Sequence, residues 1–232
     1  MDSLWSMLER RARSAGARPL VTWCGDGGLR AELSSVTFLT AVAKTAAALT
    51  EWDVPAGSTV RLDLPLHWQL PVWLAACDLA GMTVVAEGPA EVVAGTDAPL
   101  LLAEDPAWPV LVSADPLGLP GTPPAAPLLD HARDAMGQPD AYLEMPAADS
   151  TWVTVAGTWH RRDIVAEARR SADRTGLGPG GRLLVSRETP VPTCWTGVWA
   201  LPLVADAAVV LCDTLDCRSV AATEGVTAGT VT

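Results

Sequence analysis

The sequence predicts an α/β fold with two similar lobes, in which largely parallel sheets are flanked by helices. Two observations support this prediction. A loop, strand, helix and strand follow one another with short links from Asp53 to Val85, and a similar order of residues returns from Gly176 to Leu211. Short links of this kind favour a parallel, right-handed crossover with the helix on one face of the sheet. Two copies of one unit indicate two similar lobes.

The first copy begins with a tight turn, residues 53–57, in which proline presets one dihedral and glycine accepts the positive one that follows. Residues 59–64 alternate apolar and polar, which predicts a half-buried strand that ends at Pro65. From His67 to Gly81 apolar side chains recur every three or four residues, so we predict a helix with Gly81 as its C-terminal cap. Residues 82–85 predict a short buried strand.

The second copy repeats this order with its own turn and strand. The turn is Leu177-Gly178-Pro179-Gly180-Gly181, Trp199 stands where Trp73 stood, and residues 205–210 align with residues 79–84. The alternative is that any two crossover units of an α/β protein look alike, but the matched tryptophans and turn glycines favour a repeat. We therefore predict a first lobe at 1–125, a connection at 126–150 and a second lobe at 151–232.

The remaining elements are predicted from the same periodicities and turn signals. Asp26-Gly27-Gly28 between two apolar runs predicts a β-hairpin. Residues 225–232 fit either a last strand or a frayed end. Helices are predicted at residues 3–14, from Ser34 or Ser35 to about Leu49, at 128–136 and at 163–175, and strands at 100–103, 110–113 and 152–155.

Composition narrows the classes of partner and ligand. Net charge is −11 and 49% of the 232 residues are hydrophobic, so disorder is not expected and neither nucleic acid nor an anionic membrane is a suitable partner. We see no signal peptide and no apolar run that spans a bilayer, and we predict a cytoplasmic protein. The five cysteines lack a paired metal spacing, which predicts free thiols. A zinc site at Cys212 and Cys217 is the alternative, although no histidine lies near them.

Four segments together resemble the first part of the adenylate-forming enzymes, the superfamily of acyl-CoA synthetases, nonribosomal adenylation domains and luciferases. Residues 20–52 resemble its opening and residues 54–85 its first crossover. His160-Arg161-Arg162-Asp163 resembles the step after its phosphate loop, and the glycine-rich turn at residues 176–180 follows at about the family spacing. Residues 63–69 and 115–120 are closer still to a short actinobacterial family of similar proteins. The resemblance implies the α/β fold of the N-terminal domain of these enzymes.

The sequence departs from the family at the residues that adenylation needs. The resemblance implies a loop rich in serine, threonine and glycine that ends in proline-lysine and wraps the phosphates of ATP. Here only Ala156-Gly157-Thr158-Trp159 lies before His160, and one glycine without a lysine cannot surround a triphosphate. Lys44 sits on the first long helix and does not replace that lysine. The family's C-terminal adenylation domain is not part of this sequence, so we predict no catalytic residue.

The first candidate ligand-binding residues are His67, Trp68 and Gln69, which begin a predicted helix. The free N–H groups at a helix start attract an anion or an acyl carboxylate. Capping and packing at the helix start is the alternative role for these three side chains.

The second candidates are Gly157, Thr158, His160 and Arg161, which stand where the family's phosphate loop would end. His160 and Arg161 could grip a phosphate or a CoA tail. The alternative is a solvated helix start, with Asp163 as its cap and residues 155–158 as a short hairpin or strand-to-helix turn.

Three functions remain open at this point. The first is a pseudoenzyme, a non-catalytic binding or partner-interaction module for a protein or a small acidic ligand, without metal or cofactor. The second is an acyl or aryl acid ligase of the adenylate-forming type, with activity retained or completed by a partner. The third is a small-molecule binder for CoA or a nucleotide.

Overall fold

The computed structural model describes residues 3–228, which divide into two compact units. We name them by the parts of the chain that they use. The terminal unit contains residues 3–39, 65–71 and 161–228, and the central unit contains residues 40–64 and 72–160. No helix among the described residues is both long and apolar enough to cross a membrane.

Helices and strands alternate along most of the chain. In its first half they are α1 (Leu4–Ala15), β1 (Pro19–Gly25), β2 (Arg30–Ser34), α2 (Ser35–Glu51), β3 (Thr59–Asp63), α3 (Gln69–Ala80), β4 (Thr83–Val85), β5 (Val92–Gly95), α4 (Ala98–Glu104) and β6 (Trp108–Leu111). In its second half they are β7 (Leu129–Asp130), α5 (His131–Gly137), β8 (Thr151–Thr154), β9 (Gly157–His160), α6 (Arg161–Thr175), β10 (Arg182–Ser186), α7 (Thr193–Trp195), a π-helical turn (Thr196–Ala200), α8 (Leu201–Val204), β11 (Ala208–Asp213) and α9 (Cys217–Thr223).

The terminal unit is built on a sheet whose described strands have the order β10-β11-β1-β2. β10, β11 and β1 are parallel, and β2 returns antiparallel to β1 through the predicted Asp26-Gly27-Gly28 turn. Leu183, Val209 and Leu211 are fully buried and form the centre of this sheet's core. The predicted hairpin is therefore confirmed. The helix predicted at residues 3–14 is also present, as α1 (Leu4–Ala15) with Ser3 as its cap.

The central unit is built on a longer sheet, with the described strands in the order β7-β6-β5-β3-β4-β8-β9. All neighbouring strands are parallel except β9, which runs antiparallel to β8 at the edge. Val60, Val84 and Val92 are buried in the sheet, and Trp73 is buried on α3. Both predicted crossovers are present, because β3 pairs parallel with β4 and β10 pairs parallel with β11.

The two units do not coincide with the predicted lobes 1–125 and 151–232. β1 lies in the first of these ranges but pairs with β11, so Val21 is the partner of Val209. β8 lies in the second range but pairs with β4, so Val84 is the partner of Trp152. The predicted connection 126–150 contributes β7 and α5 to the central unit. The sheets are completed by strands remote in sequence, which local periodicity does not reveal.

Two local predictions between residues 90 and 113 also need correction. The apolar run at 100–103, predicted as a strand, is part of helix α4, and the preceding strand β5 was not predicted. The cause lies at the helix start, where the Asp97 side chain accepts a hydrogen bond from the Leu100 N–H at 3.0 Å.

Of the segment 225–232, Ala228 forms a β-bridge to Leu183, and residues 229–232 lie outside the described residues.

The cysteines differ from the prediction of free thiols at one pair. Cys212 and Cys217 are joined by a disulfide, because the turn between β11 and α9 brings them together, and this also removes the alternative of a zinc site there. Cys24, Cys77 and Cys194 are free and buried, and burial raises the pKa of Cys194 to about 12. Within residues 3–228, no three His, Cys, Asp or Glu side chains cluster closely enough to hold a metal ion.

Candidate functional site

His67, Trp68 and Gln69 lie together in the terminal unit, immediately before and at the start of α3. The imidazole of His67 is buried and its Nδ1 lies 3.1 Å from Oε1 of Gln69. Its ring packs edge-on against Trp23, with centroids 4.6 Å apart, and is tilted against Trp68 at 5.3 Å. His67 and Gln69 are buried and only Trp68 is partly exposed, so this group packs as an aromatic cluster.

Trp23 completes this aromatic cluster and was not among the predicted residues. A side chain on Gly25 would place its Cβ only 2.4 Å from the Trp23 ring, so the glycine leaves room for the indole. The buried indole N–H of Trp23 has no hydrogen-bond partner among the described residues. A tryptophan two residues before a glycine at a strand end is the only sequence signal for this arrangement, and it is a weak one.

Gly157, Thr158 and His160 lie on a β-hairpin of the central unit. β8 and β9 pair antiparallel from Thr151–His160 to Thr154–Gly157, and only Val155 and Ala156 form the turn. Gly157 has a φ of +118°, which only glycine adopts without strain. Of the two predicted alternatives for residues 155–158, a short hairpin and a strand-to-helix turn, the structure has the hairpin, although its first strand ends at Thr154.

The chain passes from this hairpin directly into α6, since β9 ends at His160 and α6 begins at Arg161. His160 Nδ1 lies 3.3 Å from an Asp149 carboxylate oxygen, and both side chains are about half exposed. Asp163 stands inside the first turn of α6 and not at the predicted cap position. A carboxylate in the first turn still stabilises the positive end of the helix dipole.

The structure thus divides the predicted site residues between the two units. Gly157, Thr158 and His160 share the hairpin of the central unit, whereas Arg161 and the three residues before and at the start of α3 belong to the terminal unit. Within either unit alone, they do not form one complete site.

An ion-pair network in the terminal unit was missed by the sequence reasoning. Glu224, which follows α9, accepts hydrogen bonds from Arg30 Nε at 2.8 Å and from Arg182 Nη2 at 3.0 Å. The hydrogen bond from Arg30 is the main reason that the pKa of Glu224 lies below its usual value. Because Arg30 is on β2 and Arg182 on β10, the carboxylate ties both strands to the end of α9. The residues are remote in sequence, so no local pattern predicts this ion-pair network.

A second buried polar group, also missed, lies in the central unit. His131 begins α5, its Nε2 lies 3.0 Å from Oγ1 of Thr45, and its ring centroid is 4.9 Å from that of Trp73. Burial lowers the pKa of His131 to about 4, so the imidazole is neutral at physiological pH. Its Nδ1 has no hydrogen-bond partner in the part of the chain that the structure describes. Neutral, buried and bonded to a hydroxyl, this histidine acts as a core residue.

A wide concave surface of about 660 Å³ in the central unit lies beside β3 and β5. Its central cation, Arg61, is bonded to Asp63 at 2.8 Å, to Glu104 and to the carbonyl of Gly88 at 2.7 Å. Glu91 and Asp105 line the same surface, so acidic groups outnumber the single arginine there. This surface therefore repels anions.

The sequence matches no family model and no curated protein. Solved structures are similar in fold. A crystal structure of coronafacic acid ligase from Pectobacterium brasiliense has a TM-score of 0.72 and 13% identity, covering 96% of this chain and 48% of that chain. A mutant form of the same ligase has a TM-score of 0.74 and 12% identity, with 97% and 48% covered.

The third similar structure is the inhibitor-bound N-terminal domain of FACL13 from Mycobacterium tuberculosis, with a TM-score of 0.71 and 16% identity, covering 97% of this chain and 62% of that chain. The chain thus spans about half the length of the ligases. These proteins are adenylate-forming enzymes, and the described chain has the mixed α/β fold, mostly parallel sheets flanked by helices, of their N-terminal domain. At such low identity the likeness concerns the fold.

Proposed function

We propose that this chain is a non-catalytic binding module, a pseudoenzyme on the N-terminal fold of the adenylate-forming enzymes. One observation carries the proposal. Where the family resemblance implies a phosphate loop, the turn between β8 and β9 has two residues, and α6 follows β9 without an intervening loop. A phosphate loop needs several successive N–H groups turned toward the anion. In the hairpin, the N–H groups that face the neighbouring strand are bonded in the β ladder.

The exposed parts of the same hairpin support a role in contacting a protein partner. Val155 is 81% exposed at the turn, and β9 is an edge strand among the described strands. An edge strand offers unpaired N–H and C=O groups to which an extended segment of a partner can add. We propose Gly157, Thr158 and His160 as contact residues for such a partner in the cytoplasm.

The remaining candidates have different parts in this proposal. Trp68 and Arg161 are partly exposed and are proposed as further contact residues. His67 and Gln69 are buried and hold Trp68 in position, His67 by ring contact and Gln69 by its hydrogen bond to His67.

The test is acid-dependent exchange of pyrophosphate into ATP, measured with the purified chain across a panel of fatty, aryl and amino acids. We expect no exchange above background and no calorimetric signal with ATP. Robust exchange with any acid would overturn the proposal and make an adenylate-forming ligase the better interpretation.

Two glycine-to-alanine variants test whether the turn at Gly157 has a structural role or binds phosphate. Gly157→Ala should lower the free energy of unfolding by about 1 kcal/mol or more, because alanine is strained at a φ of +118° even where space is open. Gly178→Ala is the control, because an added Cβ there also meets open space but the backbone φ is not positive. Micromolar ATP binding that Gly157→Ala abolishes would contradict the proposal.

A further inference from the structure

A pocket of about 270 Å³ lies in the terminal unit, at the edge of the sheet where its parallel strands begin. Three of its lining residues, Pro19, Arg182 and Ala208, are the first residues of β1, β10 and β11. Arg11 from α1, Arg18 and Asp206 also line it. Three arginines and one aspartate therefore line the pocket, in a protein whose net charge is −11.

Arg11 is the fixed cation of this pocket. Its side chain is only 9% exposed and donates to the carbonyls of Ala207 at 2.5 Å and Pro19 at 3.3 Å, and to Ser35 Oγ at 3.1 Å. Its carboxylate partner, Asp206, lies at 3.5 Å and is 60% exposed. An ion pair that long and that exposed offsets little of the cost of burying a guanidinium.

Three further observations indicate that positive charge in the pocket is not fully compensated. Burial is the main cause that lowers the pKa of Arg11; Asp206 opposes it, and the charge of Arg18 adds to the lowering. Arg18 is exposed, and no hydrogen bond from its guanidinium to the described residues is seen. Arg182 donates through Nη2 to Thr22 at 2.9 Å and to Glu224 at 3.0 Å, but its buried Nε has no hydrogen-bond partner among residues 3–228.

We propose that this pocket binds a small phosphate dianion, either inorganic phosphate or the phosphate group of a monoester. Arg11 and Arg18 would supply charge-assisted hydrogen bonds to it. Asp206 would compete with it for Arg11. A volume of about 270 Å³ lies just below the range of roughly 300 to 1,000 Å³ typical of larger ligands, and suits a small one.

This proposal does not depend on the proposed function, because it uses residues of the terminal unit and requires no adenylation. The hairpin on which the proposed function rests belongs to the central unit. Either proposal can fail while the other stands.

The experiment measures the thermal unfolding midpoint and the calorimetric affinity of the full chain with sodium phosphate, with glycerol 3-phosphate, and with sodium chloride at matched ionic strength. A ligand that binds only the folded state raises the midpoint in proportion to its affinity. We expect both phosphates, and not chloride, to stabilise the protein. The ligand that binds more tightly, inorganic phosphate or the monoester, identifies the source of the phosphate group. Stabilisation by chloride equal to that by phosphate would overturn the site.

Three variants make the test specific. Arg18→Ala should weaken phosphate binding about five-fold or more, because one charged donor is lost. Asp206→Asn should tighten binding by a similar factor, since it removes the competing carboxylate while asparagine tolerates the φ of 50° at this position. Arg13→Ala, an exposed arginine of α1 that does not line the pocket, should change nothing.

Arg11 is left intact in these variants because its backbone hydrogen bonds hold the chain together. Affinity that is unchanged in both Arg18→Ala and Asp206→Asn would refute the proposal even if phosphate stabilises the protein. As an independent readout, the amide signals of Gly180 and Gly181, which line the pocket, should shift on phosphate titration and that of Gly157 should not. Shifts confined to other residues would place the phosphate elsewhere and overturn the site.

Discussion

Two crossovers, β3–α3–β4 and the one from β10 to β11, have the same backbone hydrogen bond at their ends but different residues. We call this hydrogen-bonded arrangement the frame. In the first, the Gly57 N–H donates to the carbonyl of Gly81 at 3.1 Å; in the second, the Gly180 N–H donates to the carbonyl of Asp206 at 2.9 Å. The residue that accepts this bond has a positive φ in both, 73° at Gly81 and 50° at Asp206. The frame therefore fixes a dihedral, and the sequence satisfies it once with glycine and once with aspartate.

The two crossovers differ in length inside that frame. The accepting residue follows the donating glycine by 24 positions in the first crossover (57 to 81) and by 26 in the second (180 to 206). In the second helix the Leu201 N–H bonds five residues back to Thr196, and Pro202 has no N–H to offer. A π-helical turn of this kind accommodates an inserted residue. The comparison teaches that the hydrogen-bonded ends are retained, while one extra residue enters the connection before the helix and one enters between the helix start and the accepting residue.

The extra residues correct the predicted alignment of Trp73 with Trp199. The N–H after each positive-φ residue bonds back into the helix, from Met82 to Cys77 at 2.9 Å and from Ala207 to Pro202 at 2.8 Å. Cys77 thus corresponds to Pro202, but Cys77 lies four positions after Trp73 whereas Pro202 lies three positions after Trp199. Matching the two tryptophans shifts the alignment by one residue.

The largest effect is expected from truncating these tryptophans. Trp73 is 0% exposed and Trp199 2% exposed, so replacing either by alanine should lower the free energy of unfolding by about 3 to 5 kcal/mol. Trp159→Ala, at a partly exposed position of β9, is the control and should cost clearly less. Denaturant unfolding measures all three; a loss near zero for both buried tryptophans would contradict their placement in the two cores.

Acid should destabilise only one of the two crossovers, and by less than the tryptophan substitutions do. Trp73 packs against His131, whereas Trp199 packs against Phe38, which does not titrate. Because burial lowers the pKa of His131 from 6.5 to about 4, its neutral form is favoured in the folded protein. The contribution of neutral His131 to the free energy of unfolding is fully present above pH 6.5. It is lost as the pH falls toward 4, by up to about 3 kcal/mol.

The acid effect is measured as the free energy of unfolding between pH 7 and pH 4 in the wild type and in His131→Gln. We expect the variant to be less stable at pH 7 but to lose less stability toward pH 4. Parallel pH profiles for the two proteins would show that His131 is not the group responsible.

The smallest effects come from the positive-φ residues that close the two frames. Gly81→Ala should destabilise by about 2 kcal/mol, because the φ of 73° is strained for alanine and the new Cβ would lie 2.6 Å from that of Ala147. Asp206→Gly should change stability by less than about 1 kcal/mol, since relief of strain offsets the lost contact with Arg11. Equal costs in thermal unfolding would mean that the dihedral does not distinguish the two closures.

Local patterns in the sequence predict the parts of this fold that local interactions determine. The first crossover, the hairpin at Asp26 and the short turn at Gly157 all follow from turn residues and periodicity, and all are present. The apolar run at 100–103 was misassigned because period alone does not separate a short buried strand from a short helix. There the cap at Asp97 decides the outcome, and a single capping residue is a weak signal in a sequence.

The candidate site was less predictable, because its geometry depends on contacts between distant residues. The sequence located His67 and Gln69 at a helix start, but it revealed neither their burial nor the packing of His67 against Trp23. The pocket that contains Arg11 and Arg182 joins residues more than 170 positions apart. In the sequence, each of these arginines alone indicates only a solvent-exposed charge. Only the pairing of β1 with β11 brings them together.

That pairing also affects how the chain reaches its fold during synthesis. β1 leaves the ribosome well before its parallel neighbour β11, which begins at residue 208. Until then the apolar faces of β1 and β2 lack their sheet, and one edge of β1 is open to wrong partners. Loop closure over so long a separation is slow. We therefore expect the β1–β2 hairpin to need cover, from a chaperone or from α1, until β11 has been synthesised.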